Sequence, residues 1–172
     1  MFQDEARFGR INIPRLCWAP MGVRPVVGSQ VVREYTYAYA AVSPVDGVMD
    51  SLILPEVNTT AFELFLEEVA TRHADEFVLM FMDGAGWHTT KKMTVPKNMR
   101  LAFLPPYSPE LNPVEHLWDC ISENWFSNIT FKSIDAVEDT LVEGLVALEK
   151  DAARVQSLAG FNWIVNDILN AT

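Results

Sequence analysis

Residues 104–118 read "LPPYSPELNPVEHLW", and the reading of this stretch decides how the rest of the chain is placed. Pro105, Pro106 and Pro109 punctuate a loop, and Pro113 opens a helix whose first turn carries Glu115. Proline suits a first helical position, where its missing N–H would have no partner anyway. Asn112, Pro113, Val114 and Glu115 take the places N-cap, N1, N2 and N3, so Glu115 is predicted to reach back to the cap amide. The same position, where a helix meets a loop, leaves Glu115 open to chemistry.

Working outward, Val114, Leu117, Trp118, Ile121 and Trp125 recur at helical spacing and predict a helix from Pro113 to about Phe126. Upstream, "FVLMFM" (77–82) is a continuous apolar run ending at Asp83, which predicts a central strand covered on both faces. "MRLAFL" (99–104) reads as a further strand, and "MFQD" as the tail of one ending at Asp4. "VVREYTYAYAAV" (31–42) and "VMDSLILP" (48–55) are strand-like and are joined by the turn "SPVDG". Phe62, Phe65, Leu66 and Val69 predict a helix to His73 that starts on a Thr59 or Thr60 cap. An amphipathic helix over Ile134–Leu148 and a shorter one near 152–169 complete the chain. This order predicts an α/β fold, a mixed sheet with helices on both faces.

With 172 residues the chain is expected to form one domain. No run of 18 apolar residues predicts a membrane span, and the charged opening "MFQDEARFGR" is no signal peptide, so a cytoplasmic location is expected. Cys17 and Cys120 form no CxxC pair and are read as two buried, reduced thiols. The net charge of 13 − 23 = −10 argues against a simple nucleic-acid binder. Its distribution is uneven, however. Five arginines and no acid lie between Arg7 and Arg33, and "HTTKKMTVPKNMR" (88–100) carries four positive charges and no negative one.

Asp4, Asp83 and Glu115 each stand where a regular element is predicted to meet a loop. Singly, each has a structural explanation: a terminal charge, an Asp-Gly turn and a helix cap. Together at the carboxyl edge of a sheet they would repel one another and raise at least one pKa unless a cation neutralised them. Mg²⁺ or Mn²⁺ suits such oxygen ligands, and two ions can serve phosphodiester cleavage. A two-carboxylate sugar hydrolase would need neither metal nor basic surface.

"DEARFG" (4–9), "MDGAGWH" (82–88) and "LPPYSPELNPVEHLW" resemble the three signature blocks of the DDE-superfamily transposases, in the bacterial insertion-sequence branch related to mariner elements. The resemblance covers roughly residues 2 to 150. It implies an RNase H-like mixed sheet of about five strands with helices on both faces, forming a single catalytic domain over residues 1–172. It further implies DNA cleavage at transposon ends and transfer of the 3′-hydroxyl to target DNA. The catalytic and metal-binding residues it implies are Asp4, Asp83 and Glu115, with Mg²⁺ or Mn²⁺ as two ions. Thirty-one residues separate the last two, slightly short of the family's usual spacing.

His88, Lys91, Lys92, Lys97 and Arg100 are the candidate DNA contacts, Asn112 a helix cap that also orients the site, and Asp119 a substitute ligand one turn beyond Glu115. Trp87, Trp118 and His116 are read as structural. The helix-turn-helix region that reads transposon ends in the family has no counterpart here. Expected partners are therefore transposon-end and target DNA, a second copy of the chain, and a separately encoded helix-turn-helix subunit. The competing reading is a catalytically silent remnant that acts as a dimerising or regulatory partner.

Overall fold

The computed structural model describes residues 1–84 and 93–170. Its centre is a five-stranded sheet in the order β3-β2-β1-β4-β5. β1 (Phe2–Ile11), β2 (Val31–Val42) and β3 (Met49–Leu54) form an antiparallel meander, and β4 (Val78–Met82) and β5 (Met99–Phe103) run parallel to β1. The sheet is therefore mixed, as the order of apolar runs predicts. In the β2–β3 turn Gly47 has φ 75° and its Cβ position is filled by the Ala152 carbonyl, so only glycine fits.

α1 (Thr59–Arg72) covers one face, burying Phe62, Phe65, Leu66 and Val69 against Tyr39, Ala41, Met80 and Met82. The other face is covered by α2 (Val114–Trp125), α3 (Ile134–Glu149), α4 (Ala152–Ala159) and α5 (Asn162–Asn170). Leu117, Ile121, Val137, Leu141, Leu145 and Leu148 form its core with Phe2, Phe8, Ala38, Ala40 and Val42. Successive β2 residues 38–42 thus pack into opposite layers, as strand alternation requires.

Several expectations need correction. β1 does not end at Asp4 but continues to Ile11, because Phe8 finds a buried place beside Trp118 and Phe126 and the β2 ladder continues past it. α1 is capped by Asn58 rather than by a threonine. The Asn58 side chain accepts from the Ala61 amide at 2.9 Å, with the residue in extended backbone. β4 is not covered on both faces. Val78, Met80 and Met82 are buried under α1, whereas Leu79 is 42% exposed, since the four-helix layer sits over the other end of the sheet. The last helical stretch is two helices, parted at Gly160, whose amide closes α4 on the Gln156 carbonyl at 2.7 Å.

Residues 12–30 connect β1 to β2 without regular structure and leave Leu16, Trp18 and Met21 fully exposed. Cys17 lies in this segment and is exposed, not buried as expected; Cys120 is buried. The base of the connection is tied by Asn12 to Gly28 (2.6 Å) and Gln30 (2.7 Å), and by Gln30 to both main-chain groups of Phe131. Among the described residues no helix is long and apolar enough to cross a membrane.

Candidate active site

The parallel pairing of β1 with β4 sets Phe2 opposite Phe81, and their rings stack at 5.1 Å. Two residues further along each chain, on the same side of the pleat, stand Asp4 and Asp83. The register thus brings together carboxylates 79 positions apart in sequence. The chain leaves β5 at Phe103, crosses the proline loop and a short 3₁₀ turn at Pro109–Leu111, and enters α2 through Pro113 in helical backbone. This path returns Glu115 to the same end of the sheet.

Asp4, Asp83 and Glu115 line one cleft of about 440 Å³ with Gly84, Leu104–Pro109 and Asn112. Among its described lining residues none is basic. Asp4 is half-buried, while Asp83 and Glu115 are exposed. Burial, then the nearby Glu115 charge, pushes the Asp4 carboxyl up to about 7, against hydrogen bonds from Trp118 and from the Glu5 main chain that favour the charged form. Glu115 is also raised, by partial burial and then by Asp119 and Asp83. These groups repel one another, and the strain is relieved by a proton or by a cation.

Glu115 makes no capping box. The Asn112 amide donates instead to the Pro109 carbonyl at 2.9 Å, because the 3₁₀ turn ahead of α2 already occupies it. Asn112 is buried and holds two elements together. Its Oδ1 accepts from Val114 N at 3.3 Å, and its Nδ2 donates to the Gln3 carbonyl, directly before Asp4, at 3.0 Å. Asn112 is thus not the N-cap expected of it: Pro113 takes that place, and Asn112 closes the 3₁₀ turn and ties the approach to α2 to β1. Asp119 is exposed on the helix turn after Glu115 and does not line the cleft.

The basic candidates fare differently. Lys97 and Arg100 are exposed but do not line the cleft. Arg100 pairs with Leu79, four residues before Asp83, and so stands about 13 Å down the sheet at ~3.3 Å per residue. Lys97 precedes β5 and is further still. His88, Lys91 and Lys92, with Trp87, lie outside the described residues. His116 packs against Phe161, edge to face at 4.9 Å, as a structural residue would.

One contact was not legible in the sequence. Trp118, read there as core, is buried, and its indole Nε1 donates to Asp4 Oδ2 at 3.0 Å. Its place three residues after Glu115 on an amphipathic helix was the available signal, but only the β1–α2 packing shows what it meets.

Among the described residues no three His, Cys, Asp or Glu side chains are gathered closely enough to form a finished metal cluster. The donor set nevertheless suits a hard cation. It offers three carboxylates around one open cleft.

The fold and sequence both have known counterparts. An uncharacterised protein of Sinorhizobium fredii (strain NBRC 101917 / NGR234), y4pE/y4sA, is 43% identical over 105 residues, covering 60% of this chain and 77% of that protein. The Mos1 transposase paired-end complex with left transposon end superposes with a TM-score of 0.60 at 16% identity, over 92% of this chain and 55% of that one. The Mos1 mariner paired end complex with Mn gives a TM-score of 0.61 at 18% identity, over 91% and 52%. The chain thus spans about half the length of the transposase chains it matches, and shares their RNase H-like fold. The sequence model described as DDE superfamily endonuclease matches residues 1–138, a span that includes β1, the end of β4 and the start of α2, and on that match the chain belongs to the DDE superfamily endonuclease family.

Proposed function

We propose that this domain is a metal-dependent DNA endonuclease and strand-transferase that cuts at transposon ends and joins the freed 3′-hydroxyl to target DNA. The observation that carries the reading is the convergence of Asp4, Asp83 and Glu115, from three separate elements, on one cleft. Mg²⁺ or Mn²⁺, as two ions, would be held by these three carboxylates and would supply charge stabilisation at the phosphate and a more acidic water. In cleavage a water oxygen bonds to phosphorus, the bond from phosphorus to the 3′-oxygen breaks, and the strand is left with a 3′-hydroxyl. In transfer the oxygen of that hydroxyl bonds to a target phosphorus, the bond from that phosphorus to the target's own 3′-oxygen breaks, and the proton lost by the attacking hydroxyl is balanced by one taken up at the released 3′-oxygen. The chain's own part is to orient the carboxylates: β1 and β4 fix the separation of the two aspartates, and Asn112 ties the start of α2 to the β1 backbone.

DNA is the proposed substrate, and a separate helix-turn-helix chain the proposed reader of its ends, since an acidic cleft in a chain of net charge −10 offers little for sequence recognition. A homodimer is proposed on the exposed Leu16, Trp18 and Met21, in a segment free of acids within a chain of net charge −10.

Plasmid nicking in Mn²⁺ and Mg²⁺ tests the reading. The wild type is expected to nick with either ion and not with chelator, and Asp4→Asn, Asp83→Asn and Glu115→Gln each to abolish nicking. Nicking that survives the chelator or all three substitutions overturns the proposal. No nicking by a chain that binds Mn²⁺ normally would favour the silent-remnant reading.

A further inference from the structure

We propose that Trp118 is a positioning residue for the carboxylate site: its indole N–H engages Oδ2 of Asp4 and reserves the other oxygen for the cation. This rests on reading Asp4, Asp83 and Glu115 as the metal-binding set. The indole nitrogen is a donor only, so a buried tryptophan needs one acceptor at a defined place. Here that acceptor is the Asp4 carboxylate, 3.0 Å away, on a ring that is only 6% exposed. The ring cannot easily turn away. Phe8, four residues after Asp4 on the same face of β1, packs against it at 6.2 Å and 69°. The donor is therefore set by packing and not by the carboxylate it serves.

The placement has a consequence for the site as a unit. Glu115 and Trp118 stand three residues apart on α2, so one rigid helix presents a carboxylate to the cleft and a hydrogen bond to Asp4. Asn112, at the head of that helix, donates to the carbonyl of Gln3. β1 and α2 are thus joined through the main chain just before Asp4 and through the Asp4 side chain. With the indole on Oδ2 and the Glu5 main-chain N–H also donating to the carboxylate, Asp4 has few lone pairs left and offers a cation one oxygen rather than both. That favours Mg²⁺ and Mn²⁺, which take few protein oxygens, over Ca²⁺, which accepts both oxygens of a carboxylate in a larger shell.

A core role and a positioning role separate when the N–H is removed without removing the ring. The full chain carrying Trp118→Phe, and the chain with 3-benzothienylalanine in place of Trp118, which replaces the N–H by sulfur at nearly constant shape, are titrated calorimetrically with Mn²⁺, Mg²⁺ and Ca²⁺. Metal-free melting is recorded in parallel. The expected result is roughly 10- to 100-fold weaker Mn²⁺ and Mg²⁺ binding in both variants, as for other groups that orient metal ligands. Ca²⁺ affinity should fall less, so the preference for Mg²⁺ narrows, while the benzothienyl variant melts as the wild type does without metal. A benzothienyl variant with wild-type Mn²⁺ affinity and an unchanged Mg²⁺/Ca²⁺ ratio overturns the inference and leaves the carboxylate site standing. A wild type whose Mn²⁺ binding is unaffected by Asp83→Asn overturns both.

Discussion

At the scale of the residue, Glu115 shows how a local motif and a tertiary site compete for one side chain. Its spacing from Asn112 fits a capping box, yet the amide that the box requires is bonded to Pro109. Glu115 is thereby released to the cleft, and what remains of its local role is a favourable charge in the first turn of α2, worth ~0.3–1 kcal/mol. Relief of repulsion from Asp83 and Asp119 offsets that loss when the charge is removed. Glu115→Gln and Glu115→Ala are therefore both expected to melt within about 1 kcal/mol of the wild type without metal, and both to lose the Mn²⁺-induced rise in melting temperature. A retained rise in either variant would place Glu115 outside the metal site.

A second residue-scale prediction concerns His73, away from the cleft. Burial disfavours its charged form, but hydrogen bonds to Glu76 (2.6 Å) and Asp50 (2.7 Å) outweigh this and raise its pKa above 6.5. Asp50 is itself buried and also meets Arg72 at 3.2 Å. A histidine with a raised folded pKa contributes stability that is fully present below its unfolded pKa and lost as pH rises through the folded one. The stability difference between wild type and His73→Gln should therefore be largest in mildly acidic buffer and shrink above neutrality. Denaturant melts at several pH values give the comparison, and a gap that widens with pH would contradict the assignment.

At the scale of the element, α1 is held at both ends by asparagines. Asn58 caps its start, and Asn98 donates to the carbonyls of Ala70 (3.1 Å) and His73 (3.0 Å) at its end. Asn58→Ala is expected to destabilise the fold by about 0.5–2 kcal/mol. Asn98→Ala should cost about 1–3 kcal/mol, because two partly buried carbonyls lose their donor. Urea denaturation checks both, with the larger loss expected for Asn98. The helices and strands themselves were largely legible, since apolar periodicity reports which side of an element is buried. α1, α2 and α3 follow their predicted stripes within a residue or two. The errors fall where a choice depends on distant groups: the cap of α1, the length of β1 beyond Asp4, and the break at Gly160.

At the scale of the whole molecule, charge dominates the expected behaviour. With a net charge of −10, and with Lys97 and Arg100 away from the cleft, duplex DNA is expected to bind weakly, in the non-specific range of about 10⁻⁴–10⁻⁶ M or weaker. Affinity should fall steeply with added salt, as contacts made by scattered basic side chains do. A fluorescence-anisotropy titration that finds tight, sequence-selective binding at physiological salt would show a recognition surface beyond these residues.

What the sequence alone determined is the local and the repetitive: which runs are strands, which faces of helices are apolar, and, through three short blocks, the family. The resemblance of those blocks also singled out Asp4, Asp83 and Glu115 as candidates. What only the tertiary structure decided is what those acids touch. The parallel register of β1 and β4 brings Asp4 level with Asp83, a 3₁₀ turn removes Glu115 from its cap, and the packing of α2 on β1 aims the Trp118 donor at Asp4. The physical reason is range. Periodicity and capping act over three or four residues, whereas hydrogen bonds and charge repulsion act between whatever the fold brings within a few ångströms, here across 79 to 114 positions of chain.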